Sequence, residues 1–188
     1  MQDIPAKFGI QALNFEASYL VNLIESNPQM ADGIAVFDQA GHGNDLIDAA
    51  SIFAALTTIR TAMHRKTGLA GSPIAVAPRF VLVPPELETP MQQALSAIQA
   101  NETDKVNPFS TLTLAVEPRL TSPAKWYVVA DPAISDGLEY AYLEGAPGPQ
   151  IETRAGFEVD GVQMRVRLDF GAGWIDHRAW HRAELAAQ

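Results

Sequence analysis

The strongest constraint in this sequence is a strict alternation of apolar and polar residues near its C-terminal end. Apolar side chains stand at every second position and polar ones between them: Val162, Met164, Val166, Leu168 and Phe170, against Gln163, Arg165, Arg167 and Asp169. Successive side chains of a strand point to opposite faces of a sheet, so this period of two predicts one strand over 157–170. With a shorter run at 151–155 it predicts a long hairpin, turning at Gly156 or at Asp160-Gly161.

Further short apolar runs predict more strands, most of them in the second half of the chain. We expect strands at 80–83, 111–117, 126–130 and 138–143, and shorter ones near 34–37 and 73–77. The first hundred residues instead carry apolar residues at helical spacing, which predicts helices over 14–26, 45–66 and 86–100. Asn44 or Asp45 would cap the second helix, and Thr89 would cap the third beside Pro90. Three helices with seven or eight strands indicate an α+β fold.

Composition excludes several classes of function. The chain of 188 residues has a net charge of −9, and its 13 lysines and arginines are scattered, so we predict no specific nucleic-acid partner. It contains no cysteine, which rules out disulfides, thiol nucleophiles and thiolate metal sites. The first residues lack the pattern of a signal peptide, and no apolar run approaches the length of a membrane span.

Asp176, His177 and His181 form the most suggestive group for chemistry, because two histidines four positions apart can share a metal ion. In a helix their Cβ atoms would lie about 6 Å apart. In a strand the separation would be roughly 13 Å, too far for one ion with nitrogen ligands at about 2 Å. The segment follows a Gly-Ala-Gly break and contains few good helix formers, so we expect a strand and no metal site.

A second polar group, Asp38, His42 and Asp45, could hold a metal or a hydrolytic site, and His42 or His64 could join Asp176, His177 and His181 in a metal site. The flanking glycines Gly41 and Gly43 favour a polar turn that caps the next helix instead. The chain also lacks Gly-x-Ser-x-Gly, Ser-x-x-Lys and phosphate-binding loop motifs. We therefore predict no catalytic residue, no cofactor and no enzyme.

Several long segments together resemble one protein family. They are "ADGIAVFDQAGHGN" at 31–44, "IRTAMHRKTGLAGSPIAVAPRFVLVPPELE" at 59–88, "VNPFSTLTLAVEPRL" at 106–120, "WYVVADP" at 126–132 and the stretch 138–178. They are similar to the C-terminal half of major capsid proteins of tailed bacteriophages and prophages, of the Hong Kong 97 type. The resemblance is strongest to the subgroup whose capsid sequence can be fused behind a prohead protease.

The resemblance implies a subunit with an axial domain near the capsomer centre and a peripheral domain that carries a long spine helix. It places residues 45–170 in the axial domain and residues 1–44 with 171–188 in a partial peripheral domain, with a bend at Gly171 and Gly173. The N-terminal arm, the extended hairpin and most of the spine would be missing. The chain is thus expected to be a capsid subunit or a truncated prophage remnant of one.

The implied partners are copies of the same chain in rings of five or six, together with other phage head proteins. The implied location is the virion and the cytoplasm of the bacterial host. Two alternatives stay open on sequence grounds. One is a metal-dependent enzyme that uses Asp176, His177 and His181, and the other is a noncatalytic binding module unrelated to phage.

Overall fold

The computed structural model describes residues 3–96, 107–156 and 161–186, and within them it contains three α-helices and nine strands. In chain order the elements are α1 (Asp3–Glu25), β1 (Asp45–Ala49), α2 (Ile52–His64), β2 (Pro78–Val83), a 3₁₀ turn (Pro85–Leu87), α3 (Glu88–Leu95), β3 (Thr113–Val116), β4 (Lys125–Ala130), β5 (Leu138–Tyr142), β6 (Gln150–Ala155), β7 (Val162–Arg167), β8 (Phe170–Trp174) and β9 (Trp180–Leu185). The predicted α+β class is confirmed.

The chain divides into two compact units. The helix–hairpin unit comprises Met1–Ser26 and Glu139–Gly173, and the sheet unit comprises Asn27–Leu138 and Trp174–Gln188. These boundaries differ from the division at 44/45 and 170/171 that the family resemblance implies. The assignment of axial and peripheral domains therefore stays a prediction.

The sheet unit is built on a five-stranded mixed sheet with the order β1-β9-β4-β2-β3. The outer pairs β1/β9 and β2/β3 are parallel, whereas β4 runs antiparallel to both of its neighbours. Helices α2 and α3 supply buried side chains to the core beside the sheet. The largest contributors are Leu56, Ile59, Met63 and Met91 from the helices, with Val81, Val83, Trp126 and Val128 from the strands. Apolar burial of this kind is the main stabilising term of the unit.

Tyr127 lies between the core residues Trp126 and Val128 on β4, so its side chain points to the other face of the sheet. It is buried there, and its ring centroid lies 5.3 Å from that of Phe37. Phe37 also meets Trp174 edge to face at 5.6 Å. The irregular segment before β1 thus covers the side chain of a central strand. The predicted strand near 34–37 is wrong, because the segment makes only an isolated bridge between Gln29 and Ala35.

The predicted helix over 45–66 is wrong in its first turn. Asp45 and Leu46 pair with Arg182 and Ala183 in the sheet, and tertiary pairing outweighs the apolar periodicity that suggested a helix. The helix starts only after Ser51, whose hydroxyl accepts a hydrogen bond from the backbone N–H of Ala54 at 3.2 Å. Ser51 is therefore the N-cap, rather than either residue that we predicted.

The other two helices also differ from their predicted bounds. Helix α1 begins at Asp3 rather than at residue 14, since the exposed apolar residues of its first turns produce no clear burial period. The third helix is shorter than predicted. A 3₁₀ turn precedes it, Leu87 rather than Thr89 is its N-cap, and it ends at Leu95. The predicted positions 97–100 lie outside the described residues.

Among the strands, those predicted at 80–83, 111–117, 126–130 and 138–143 are confirmed with small changes of bounds. The strand near 73–77 is wrong, since only a Thr67–Pro73 bridge forms there. The long alternating strand is in fact two strands. β7 pairs with β6 and β8 pairs with β5, with the break at residues 168–169. Positions 157–160, where part of the predicted hairpin turn falls, lie outside the described residues.

Asn44 joins three segments of the sheet unit. Its buried amide nitrogen donates to the carbonyls of Val36 at 2.8 Å and Trp180 at 3.1 Å, with a longer contact to His177 at 3.4 Å. Its side-chain oxygen accepts from the backbone N–H of Asp38 at 3.0 Å. The amide thus satisfies buried carbonyls of the segment before β1 and of the turn before β9 with one side chain.

We predict that Asn44→Asp destabilises the sheet unit by at least about 3 kcal/mol, because a carboxylate would face backbone carbonyls with no donor to offer them. Urea denaturation followed by circular dichroism measures the change. Gln39→Glu makes the same amide-to-carboxylate change at an exposed position of the same segment, and should change stability by less than about 0.5 kcal/mol. Equal effects of the two substitutions would contradict this role of Asn44.

Candidate functional site

The stretch that carries Asp176, His177 and His181 is neither helix nor one continuous strand. Residues 175–179 form a turn between β8 and β9, and His181 lies in β9. The strand prediction is thus right for His181 and wrong for His177. Asp176 accepts the backbone N–H of Arg178 at 2.8 Å and pairs with its guanidinium at 3.3 Å, so this carboxylate stabilises the turn.

His177 stacks on His42, and this contact brings the two polar groups of the sequence together. The two imidazole rings lie 3.6 Å apart between centroids and 7° from parallel. His42 Nδ1 lies 3.1 Å from the carbonyl of Val36, and its Nε2 lies 2.9 Å from a carboxylate oxygen of Asp32. Both neighbours are acceptors, so only the doubly protonated ring can donate to both at once. The sequence pattern did not single out Asp32.

The group Asp38, His42 and Asp45 is not assembled as a site. Asp38 accepts the backbone N–H of Gly41, which confirms the polar turn. Asp45 instead forms a two-pronged ion pair with Arg182, at 2.8 and 2.6 Å, inside the sheet. His64 lies exposed at the end of α2.

Over residues 3–96, 107–156 and 161–186, no three His, Asp or Glu side chains gather closely enough to hold a metal ion. Of the three proposed ligands, Asp176 is engaged by Arg178, whereas His177 Nδ1 and both ring nitrogens of His181 make no hydrogen bond among the described residues. Among the described helices, none is long and apolar enough to cross a membrane.

Burial controls the electrostatics of the histidine cluster. Desolvation, and then the electrostatic effect of the stacked His42, lower the pKa of His177 to about 4. Desolvation, followed by Lys66 and His177, lowers the pKa of His181 to about 3. Neither ring nitrogen of His181 makes a hydrogen bond among the described residues, although the backbone of Gly43 is near enough to oppose the shift. Both rings are therefore neutral at pH 7.

Lys66 lies half-buried beside this cluster. Its ammonium group donates to the carbonyl of His42, with a longer contact to the carbonyl of Gly43 at 3.4 Å. Burial lowers the pKa of Lys66, and the nearby Arg178 lowers it further, against the opposing effect of Asp176. Cations thus collect at one side of the stacked histidines.

The helix–hairpin unit presents a different kind of surface. The side chains of β6 are all exposed, and most of those of β7 are too. Ile151 is paired with Val166 in the two-stranded ladder, and Glu152 with Arg165, whose side chains form an exposed ion pair. Because a two-stranded hairpin with no buried face is marginal in water, this hairpin is suited to packing against a partner.

Helix α1 also exposes apolar side chains. The large ones are Ile10, Leu13, Phe15 and Tyr19. Glu16, one turn away from both Leu13 and Tyr19, accepts a hydrogen bond from the hydroxyl of Tyr142 at 2.9 Å, and this bond to the carboxylate raises the pKa of Tyr142. Tyr19 meets the ring of Phe170 edge to face at 5.7 Å. The helix is held by a few contacts and keeps an apolar surface in water.

Comparisons with known proteins give a consistent result. A family model described as phage capsid protein matches residues 1–183. No curated protein matches the sequence.

Three solved structures share the fold at 9–10% identity. A phage-related protein from Bordetella bronchiseptica superposes with a TM-score of 0.62 over 98% of this chain and 66% of its own. An encapsulin complex from Synechococcus elongatus gives 0.59 over 96% and 65%, and the capsid of cyanophage P-SCSP1u gives 0.57 over 97% and 66%. The chain therefore spans slightly less than two thirds of the length of these structures.

The lowered pKa values predict acid sensitivity of the sheet unit. In the unfolded chain His177 and His181 take up protons near pH 6.5, whereas in the folded chain they stay neutral until the pH is much lower. The free energy of unfolding therefore falls as the pH drops from about 6.5 towards 4. For His181 the loss between pH 7 and pH 5 is about 2 kcal/mol. His181→Leu should reduce the fall in Tm over this range, as measured by thermal denaturation at each pH.

The matched control is His64→Leu, which removes an exposed histidine from the end of α2. It should leave the pH dependence of Tm unchanged. If His181→Leu has the same acid sensitivity as the unmodified chain, buried His181 is not a source of it.

Proposed function

This chain belongs to the phage capsid protein family, and from that premise we propose that it is a structural subunit that builds a shell by binding copies of itself. The single observation that carries the proposal is the family match over residues 1–183. The shared fold with a cyanophage capsid and an encapsulin supports it. Because the chain spans less than two thirds of those structures, its assembly is inferred rather than carried over from them.

The surface of the helix–hairpin unit supports self-association. The exposed hairpin β6–β7 buries almost nothing of its own, and α1 leaves four large apolar side chains in water. Large apolar side chains that stay exposed in a subunit are candidates for a contact site. In rings of five or six copies each contact joins two different faces of neighbouring subunits, so the hairpin needs a non-identical surface to meet.

Two domains follow from the same proposal. Helix α1, 23 residues long, is the candidate for the spine helix, which the family resemblance assigns to the peripheral domain. Since α1 belongs to the compact unit that also contains Glu139–Gly173, we assign the whole helix–hairpin unit to the peripheral domain. The sheet unit is then the axial domain. Compared with the division made from sequence, residues 139–170 move to the peripheral domain, and residues 27–44 and 174–188 move to the axial domain.

A structural role fits the chemistry of the chain. Family membership indicates a shell protein rather than an enzyme, and it implies a location in the virion. We further propose assembly in the bacterial cytoplasm and contacts with other phage head proteins. A net charge of −9 limits adhesion to packaged DNA, so the proposal includes no specific nucleic-acid partner.

Self-association is tested by sedimentation velocity and negative-stain electron microscopy over rising protein concentration. We expect the chain to form particles of several copies as the concentration increases. The double substitution Ile151→Lys and Val162→Lys places two charges on the hairpin, and should raise the concentration needed for association at least about tenfold. Circular dichroism should stay unchanged, because both side chains are exposed.

The control for this experiment is Ile134→Lys, which places the same charge at an exposed apolar position of the sheet unit. It should leave association through the hairpin intact. A chain that stays monomeric at every concentration would overturn the proposed self-association. Equal effects of the control and the double substitution would show that the hairpin is not the contact.

A further inference from the structure

A small cleft beside the stacked histidines is lined by cations. It has a volume of about 280 Å³, and the charged residues that line it are Arg65, Lys66 and Arg178, beside His42 and His177. None of the side chains that line the cleft is acidic, which is unusual in a chain of net charge −9. From this geometry we propose that the cleft binds one small divalent oxyanion of the phosphate or sulfate class.

The charges around the cleft set the valence of the ligand. Arg65, Lys66 and Arg178 contribute three permanent positive charges to its lining. Asp176 compensates one of them through its ion pair with Arg178. Among the described residues neither Arg65 nor Lys66 forms an ion pair with a carboxylate, so two positive charges remain without a counterion. A dianion would balance them.

The donors in the cleft are available for an anion. Lys66 has three N–H groups, and the carbonyls of His42 and Gly43 accept two of them, which leaves one. Arg178 uses its Nε on Asp176, so the two terminal nitrogens of its guanidinium are left to form charge-assisted bonds to an oxyanion. These two side chains come from different segments, and Asp176 and the two carbonyls hold them in place before any ligand arrives.

The size of the cleft allows a small ligand. Its volume is close to the lower end of the range of about 300–1,000 Å³ that is typical for ligand pockets, and it is many times the roughly 30 Å³ of one water. A tetrahedral oxyanion therefore has room to bind in it. A nucleic-acid backbone carries the same chemical group, but the acidic remainder of the surface repels a polyanion.

The experiment titrates the whole chain with sodium sulfate by isothermal titration calorimetry, at constant ionic strength set with sodium chloride. Dilute protein keeps the titration independent of shell assembly, so a failure to bind sulfate would not bear on the proposed function. We expect saturable binding of one sulfate per chain. Lys66→Met should weaken the affinity at least about tenfold, because it removes a charge-assisted donor.

Two further variants make the result specific. Lys125→Met makes the same change at a lysine outside the cleft and should leave the affinity unchanged. Arg65→Gln removes an exposed charge from the lining of the cleft and should weaken binding by roughly two- to fivefold. Sulfate binding that is absent, or that is equal in the Lys66→Met and Lys125→Met variants, would overturn the proposal.

A short DNA duplex at the same concentration of phosphate groups distinguishes the free ion from a nucleic-acid backbone. We expect the duplex to leave the sulfate titration unchanged. A duplex that displaces sulfate, and binds more tightly than sulfate does, would overturn the assignment of the cleft to a small free ion.

Discussion

The sheet unit depends on the hydrogen bonds of one buried amide. Asn44 connects the carbonyls of Val36 and Trp180, so it fixes the irregular segment before β1 against the first residue of β9. This attachment places Phe37 over Tyr127 and His42 against His177. Without it the ring stack, the covered face of β4 and the cationic cleft would have no defined geometry. A short polar side chain thus organises an otherwise apolar neighbourhood.

Sequence reasoning succeeded where local periodicity and burial agree. The strands β2 and β4 are compact apolar runs inside a sheet, and both were predicted within about two residues of their observed bounds. It failed for β1, because Asp45–Ala49 continues the apolar spacing of α2 and is a strand only through its pairing with β9. It also missed the break at 168–169, since alternation continues across a place where the chain changes its partner strand.

The candidate sites show the same limit. The sequence correctly indicated that His177 and His181 do not lie on one helix. That prediction used only local residue preferences and the known distances within regular helices and strands. It gave no indication of the His42–His177 stack or of Lys66, because these contacts join positions far apart in the chain. A single sequence without aligned relatives offers no signal for such pairs. The family resemblance supplied the fold through long matching segments, and the structure supplied the contacts.

The position of β9 in the sheet affects how the chain folds. This strand, the last of those described, lies between β1 and β4, and its Arg182 binds Asp45 from 137 positions away. The sheet cannot close on the ribosome until residues 180–185 have emerged, so β1 and one edge of β4 stay unpaired until then. Long-range pairing of this kind slows folding and leaves strand edges open to wrong partners. The sheet unit therefore reaches its full strand order only after its last strand, β9, has been made.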